Sequence, residues 1–256
     1  MEMLLDLLTP LQWAGALGVG VLAGFIKGVV GFAMPMVMIS GLSSIVAPEL
    51  ALAGLILPTV VTNGMQALRQ GPQAALGSIK RFRLFLIVGA VALFLSAQLV
   101  TVVPVSVLLA IIGVPIVLFA LAQIAGWSGA LPFGPSRRFE VGIAALAGGI
   151  GGVSGIWGPP TVAYLTALNT EKREQMRVQG VIYGLGAVGL TLAHTGSGVL
   201  NAATVWLSVA MIPPAILGML LGSAVQDRID QRAFRRATLW VLLVAGLNLL
   251  RRAVFA

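Results

Sequence analysis

The fourteen residues LAGFIKGVVGFAMP, Leu22 to Pro35, return 124 positions later as LAGGIGGVSGIWGP, Leu146 to Pro159, with eight identities. Such a copy divides the chain into two related halves, 1–127 and 141–256, joined by a linker over 128–140. Each copy sets glycine and proline in the middle of an apolar run, and a bilayer tolerates that only where the freed backbone groups line a cavity or are covered by protein. The match continues past the break, where an offset of 125 pairs Gly64 with Gly189, Arg69 with His194 and Gly71 with Gly196. A duplicated broken helix points toward transport.

Composition identifies the solvent. Of 256 residues 58% are hydrophobic and 9% charged, against about 25% charged in an average soluble domain. The 16 basic and 8 acidic residues fall in a few short stretches, too few to clothe a soluble surface. The opening MEMLLDLLTP holds Glu2 and Asp6 but no Lys or Arg, so it lacks the basic start of a cleaved signal peptide. Targeting is expected from the first apolar segment itself. The absence of cysteine excludes disulfides, thiolate metal sites and a thiol nucleophile. The net charge of +8 belongs to cytoplasmic anchors at helix ends, because no stretch joins basic residues to a soluble fold that would present them to nucleic acid.

The expected fold class is an all-α integral membrane protein of eight apolar segments in two homologous, inverted repeats. The segments run over Leu11–Ile39, Leu50–Leu68, Leu84–Val103, Val105–Trp127, Val141–Leu168, Val178–His194, Ala203–Val225 and Ala237–Leu250. Each is set against a hydrocarbon layer of about 30 Å. The first and fifth exceed one simple crossing and hold the duplicated break, so each is expected as two half-helices around an unwound or re-entrant stretch. Gly113 with Pro115 and Pro213 with Pro214 are expected to kink the fourth and seventh. If all eight segments crossed fully, Arg69, Lys80, Arg81, Arg83, Arg137 and Arg138 would face one side and Lys172, Arg173, Arg177, Arg228, Arg232, Arg235 and Arg236 the other. Letting the first and fifth segments enter and leave on one face puts these thirteen basic residues together in the cytoplasm and the acidic N-terminus outside. Arg251 and Arg252 are then left to snorkel outward.

The motif pair GFIKGVVGFAMP and GGIGGVSGIWGPP, at this spacing in a chain of this length, resembles the TauE/SafE family of sulfite and organosulfonate transporters. Gly24, Gly28, Gly31 and Pro35 match the first glycine-rich signature, and Gly148, Gly152, Gly155, Gly158, Pro159 and Pro160 the second. The stretch from Ile216, ILGMLLGSAVQDRIDQRAFRRATLWVLLVAGLNLL, is similar to the family's usual ending. One departure stands out: many members carry three glycines where this chain has Phe32, Ala33 and Met34. The resemblance implies export or uptake of small sulfur- or carbon-containing anions by a multi-pass protein of the bacterial inner membrane.

The residues themselves give a reason for anion binding. Half-helices present unpaired N–H groups and partial positive charge at their N-termini, and an oxyanion needs such donors. Gly28, Gly31 and Pro35 in the first break, with Gly155, Gly158 and Pro159 in the second, allow close backbone approach at a helix start. Close helix packing is the competing use of such glycines, and isolated ones such as Gly89 and Gly222 are assigned to it alone. Lys27 is the only basic residue in the first broken segment, so it either pairs with a substrate anion or snorkels to a vestibule. Ser154 and Trp157 flank the second turn, and Thr161 and Tyr164 follow three apart, on one face. Their hydroxyl and indole donors suit a sulfonate, while interfacial anchoring is the alternative for Trp157 and Tyr164. Asn63, Gln66, Gln179, Tyr183 and Thr191 are polar groups on the helices after each break, suited to helix-to-helix hydrogen bonds or to a cavity wall. His194 is a candidate proton relay or a histidine at a wet helix end.

All eight acidic residues lie in expected loops or interfaces, so no buried carboxylate is expected to carry protons or sodium. No catalytic residue, cofactor or metal is expected. The expected partners are a small anion and the lipid bilayer, not nucleic acid, and a homo-oligomer is left open. An anion channel on the same scaffold is one alternative. A membrane-embedded enzyme such as a lipid phosphatase is another, although such chemistry calls for a clustered Glu, His and Arg set that one histidine and remote acids do not supply.

Overall fold

The computed structural model describes residues 8–97, 105–126, 136–154, 158–196, 199–202 and 204–255. Among them every regular element is helical: α1 Pro10–Val30, α2 Met34–Leu42, α3 Pro48–Leu68, α4 Pro72–Arg81, α5 Arg83–Ala97, α6 Val105–Ile124, α7 Arg137–Ser154, α8 Gly158–Ala167, α9 Lys172–Gly196, α10 Val205–Ala210, α11 Ile212–Arg228 and α12 Gln231–Phe255. Among the described residues four stretches are long and apolar enough to cross a bilayer, Pro10–Val30, Leu50–Leu68, Val205–Arg228 and Gln231–Val254, and Arg83–Ser96 is a shorter apolar helix.

Local chemistry sets the helix ends. Thr9 caps α1 by accepting from the Gln12 N–H, and the Gln12 side chain accepts from the Thr9 N–H in return. α1 stops where Gly31 turns left-handed, at φ 87°, and its N–H donates to the Lys27 carbonyl at 2.6 Å. After Phe32 and a left-handed Ala33 (φ 71°), α2 begins, with Pro35 in its first turn. The first expected segment is thus two helices of 21 and 9 residues around Gly31–Ala33. The seventh is split at Met211, since Pro213 and Pro214 lack the N–H groups that would continue α10. The fourth stays one helix through Gly113 and Pro115. Gly113 serves close packing there: a side-chain carbon on it would lie 2.7 Å from Leu250 Cδ2 in α12. α4 occupies a stretch read from the sequence as loop, and it buries Ala75 and Ser78 while leaving Leu76 exposed.

The chain divides into two compact units, Met1–Pro72 with Gln179–Asp230 and Gln73–Val178 with Gln231–Ala256. Each draws helices from both sequence halves. In the first unit α1 packs on α11 through Gly20, Gly24 and Gly28 on one helix and Gly218 and Gly222 on the other, spaced four apart. Carbons added at Gly24, Gly28, Gly218 and Gly222 would fall 2.0–2.3 Å from carbonyl oxygens of the facing helix. α2 adds Met34, Met38 and Leu42 to a core shared with Leu55, Leu207 and Met211. In the second unit α5 and α7 meet at Gly89 and Gly148, where an added carbon on Gly148 would lie 2.0 Å from the Gly89 oxygen. The broken first segment therefore packs on the seventh, and the fifth on the third.

Charged groups gather at helix ends within each unit. Arg69 pairs with Asp227 at 2.5 Å and donates to Gln226 at 3.3 Å in the first. In the second, Arg177 donates to Ser78 at 2.7 Å, Arg81 pairs with Glu174, and Arg235 donates to Gln123 at 2.6 Å and to Asn169.

Candidate functional site at the helix breaks

The first break carries a connected polar group. Lys27, in the last turn of α1, is 2% exposed, and its Nζ donates to Asn63 Oδ1 on α3 at 2.5 Å. One turn further along the same face, Gln66 donates through Nε2 to the Gly31 carbonyl at 3.1 Å. Gly31 is thus held twice, by its N–H on Lys27 and by its carbonyl on Gln66. No side chain caps α2, whose first residue is preceded by Ala33. Thr62, buried beside Asn63, donates its hydroxyl to the Pro58 carbonyl at 2.7 Å, with its oxygen 3.6 Å from Met34 Sδ in the first turn of α2. Lys27 does not snorkel, because its burial leaves no route to a vestibule. Its hydrogen-bonding partner is a neutral amide.

The sequence reading missed Thr59 and Thr62. With Asn63 and Gln66 they form a buried polar stripe on α3 at intervals of three, one and three. That spacing was the available signal, and it was hidden by treating each polar residue alone. Pro58 opens α3 at this level, and the Leu57 N–H donates to the buried Ser208 Oγ on α10 at 3.0 Å.

α9 supplies the other predicted residues of this unit. Gln179 and Tyr183 are buried, and Gly180 and Gly184 let α9 lie against α3 at Ala67 and Asn63. Pro35 sits half-buried in the first turn of α2, where its missing N–H costs no helix hydrogen bond. Gly28 faces α11, so its open side is filled by helix packing. Thr191 hydrogen-bonds to its own helix at the Ala187 carbonyl, 2.8 Å away. The His194 side chain lies outside the described residues.

The helix after the second break has different surroundings. Gly155 and Trp157 lie outside the described residues, as does the Ser154 side chain at the end of α7. On α8, Gly158 is half-buried, whereas Pro159, Thr161 and Tyr164 are buried. The Tyr164 ring stacks on Phe85 with centroids 5.5 Å apart and tilts against Phe139 at 5.9 Å. Tyr164 is therefore a packed core ring and not an interfacial anchor.

A cleft of about 360 Å³ bounded by Leu8, Gln12, Ser43 and Leu50 lies at the opposite end of α1. Fifteen residues of helix, roughly 22 Å, separate Gln12 from Lys27. Among the described residues that line it none is charged, and it is distinct from the break.

A family model described as "Sulfite exporter TauE/SafE" matches residues 16–249, from within α1 to within α12 and across both breaks. Neither a curated protein nor a solved structure matches the chain.

Proposed function

The chain belongs to the sulfite exporter TauE/SafE family, and from that premise we propose that it carries sulfite or an organosulfonate across the bacterial inner membrane by alternating access. Its eight segments form two inverted repeats, and the breaks at Gly31–Ala33 and 155–157 are its substrate-handling elements.

One observation carries the anion reading. A buried cation in an apolar helix is expensive and needs a counter-charge. Lys27 is buried against an amide, α1 and α2 contain no acidic residue, and the first turn of α2 has no side-chain cap. A sulfonate or sulfite oxygen would meet the ammonium and the free N–H groups of that turn together. The thirteen basic residues lie in the cytoplasm in this reading, and the hydrogen bond from Arg177 to Ser78, between α9 and α4, supports a common side for the basic stretches near those two residues.

Uptake by proteoliposomes of sulfite, taurine, sulfoacetate and simple carboxylates tests the proposal. Saturable uptake of a sulfur oxyanion over carboxylates is expected. Conductance of many ions per second would replace the carrier with a channel, and no uptake of any of the four classes would sink the proposal.

A further inference from the structure

The polar row on α3 does not stop at the break. Asn63 and Gln66, both buried, are followed at the same interval of three by Arg69, where α3 ends. Asn63 meets Lys27 and Gln66 meets Gly31, so α3 runs parallel to α1 and Arg69 falls just past the end of α1, on the side away from Thr9. α11 runs parallel to α1 as well: a carbon added at Gly24 would touch Ala215 and Met219, and one added at Gly28 would touch Met219 and Ser223. Asp227 is one turn beyond Ser223, and it meets Arg69 at that level. From Asn63 to Arg69 the helix rises by roughly 9 Å, with Gln66 midway.

The way Arg69 is held suits it to an exchangeable anion. Its Nη1 donates to Gln226 Oε1 at 3.3 Å, and Gln226 is 1% exposed, so a buried amide steadies one edge of the guanidinium whatever sits on the other. The other edge donates through Nη2 to Asp227 at 2.5 Å. Asp227 lies in the last turn of α11, where the negative end of the helix dipole opposes a carboxylate. Its position is therefore set by Arg69 and not by its own helix. The two side chains keep 40% and 48% of their exposure, and an ion pair so open to water is weak enough to be displaced. A carboxylate and a sulfonate present similar oxygens to the planar fork of an arginine.

We propose that Arg69 is a second anion-binding residue, at the cytoplasmic mouth of the first break, and that Asp227 occupies its guanidinium until a substrate oxyanion takes that place. The inference rests on the anion-carrier proposal above and adds a mouth to its site. An anion arriving from the cytoplasm displaces Asp227, is held by Arg69 over the end of α1, and passes along Gln66 toward Asn63 and Lys27. On release in the other direction Asp227 returns and closes the pair behind it.

Arg69→Gln and Asp227→Asn remove the same ion pair, which makes them the test. Uptake is measured in inverted membrane vesicles, whose cytoplasmic face is outward, and in right-side-out vesicles, with sulfite and the monoanion ethanesulfonate as labelled probes and the same unlabelled anion inside. In inverted vesicles Arg69→Gln should raise the apparent KM by at least roughly 10-fold, because a charged donor to the anion is lost. Asp227→Asn should lower it by roughly two- to fivefold, because a competing carboxylate is lost. From the opposite face the two variants should agree within about twofold, since neither group meets the anion there. Both proteins should stay monodisperse in size-exclusion chromatography. A merely structural pair predicts that the two variants shift KM in the same direction from the cytoplasmic face, and that result overturns the proposal, as does an unchanged KM in both. Either leaves the carrier reading in place when the wild-type protein takes up a probe. If the wild-type protein takes up neither probe in either orientation, the carrier proposal falls and this inference with it.

Discussion

The two copies of the motif share eight of fourteen residues and differ in the side chains around them. At the first, Lys27, Asn63 and Gln66 form a hydrogen-bonded group around Gly31. At the second, Gly151 stands where the lysine is, and the helix that follows seats Tyr164 between Phe85 and Phe139. The glycines and the proline are common to both, because they set where a helix stops and the next begins. Side chains decide what the opening is used for. The charge of the pair resides in one copy, so the two motifs are alike in glycine and proline and unlike in chemistry.

The largest effect is expected where the two copies behave alike. Gly28→Val in α1 and Gly148→Val in α7 each put a branched side chain into a backbone already in contact. Both should lose monodisperse protein in size-exclusion chromatography, with destabilisation at or above roughly 3 kcal/mol. A well-folded Gly148→Val protein would show that the close α5–α7 crossing is not required.

Next comes the contrast in chemistry. Lys27→Met should raise the apparent KM for the anion by roughly 10- to 100-fold while leaving the melting temperature unchanged or higher, since it removes a buried charge. Tyr164→Phe, in the neutral copy, keeps the stacked ring and should leave KM within about twofold, as the ring and not the hydroxyl is seated on Phe85. A Tyr164→Phe phenotype as large as that of Lys27→Met would erase the distinction. The smallest effect concerns Ala33, a left-handed alanine at φ 71° in the first break. Ala33→Gly should stabilise the protein by about 1 kcal/mol, read as a rise in melting temperature.

Much of the fold was legible in residue order. Glycine and proline inside the first apolar run announced the interruption found at Gly31–Ala33, and the Pro213–Pro214 pair announced the one at Met211. These follow from local rules, since a missing N–H or a left-handed residue ends a helix wherever it sits. The polar residues of α3 were legible one at a time, but Thr59 and Thr62 were overlooked because hydroxyls in apolar helices commonly bond to their own backbone. Both do so here, to Leu55 and Pro58 at 2.6 and 2.7 Å.

By itself, the sequence determined the solvent, the helical class, the duplicated break and the family to which they belong, because hydropathy and backbone exceptions are properties of the chain alone. Only the tertiary structure decided which helix receives each glycine face, and that Lys27 is buried on Asn63 instead of reaching water. It also decided that Tyr164 is packed between two phenylalanines and that each compact unit draws on both halves. A small-residue stripe announces that something will approach and does not name the partner, and a lysine's stem reaches equally well inward or outward until its neighbours are in place.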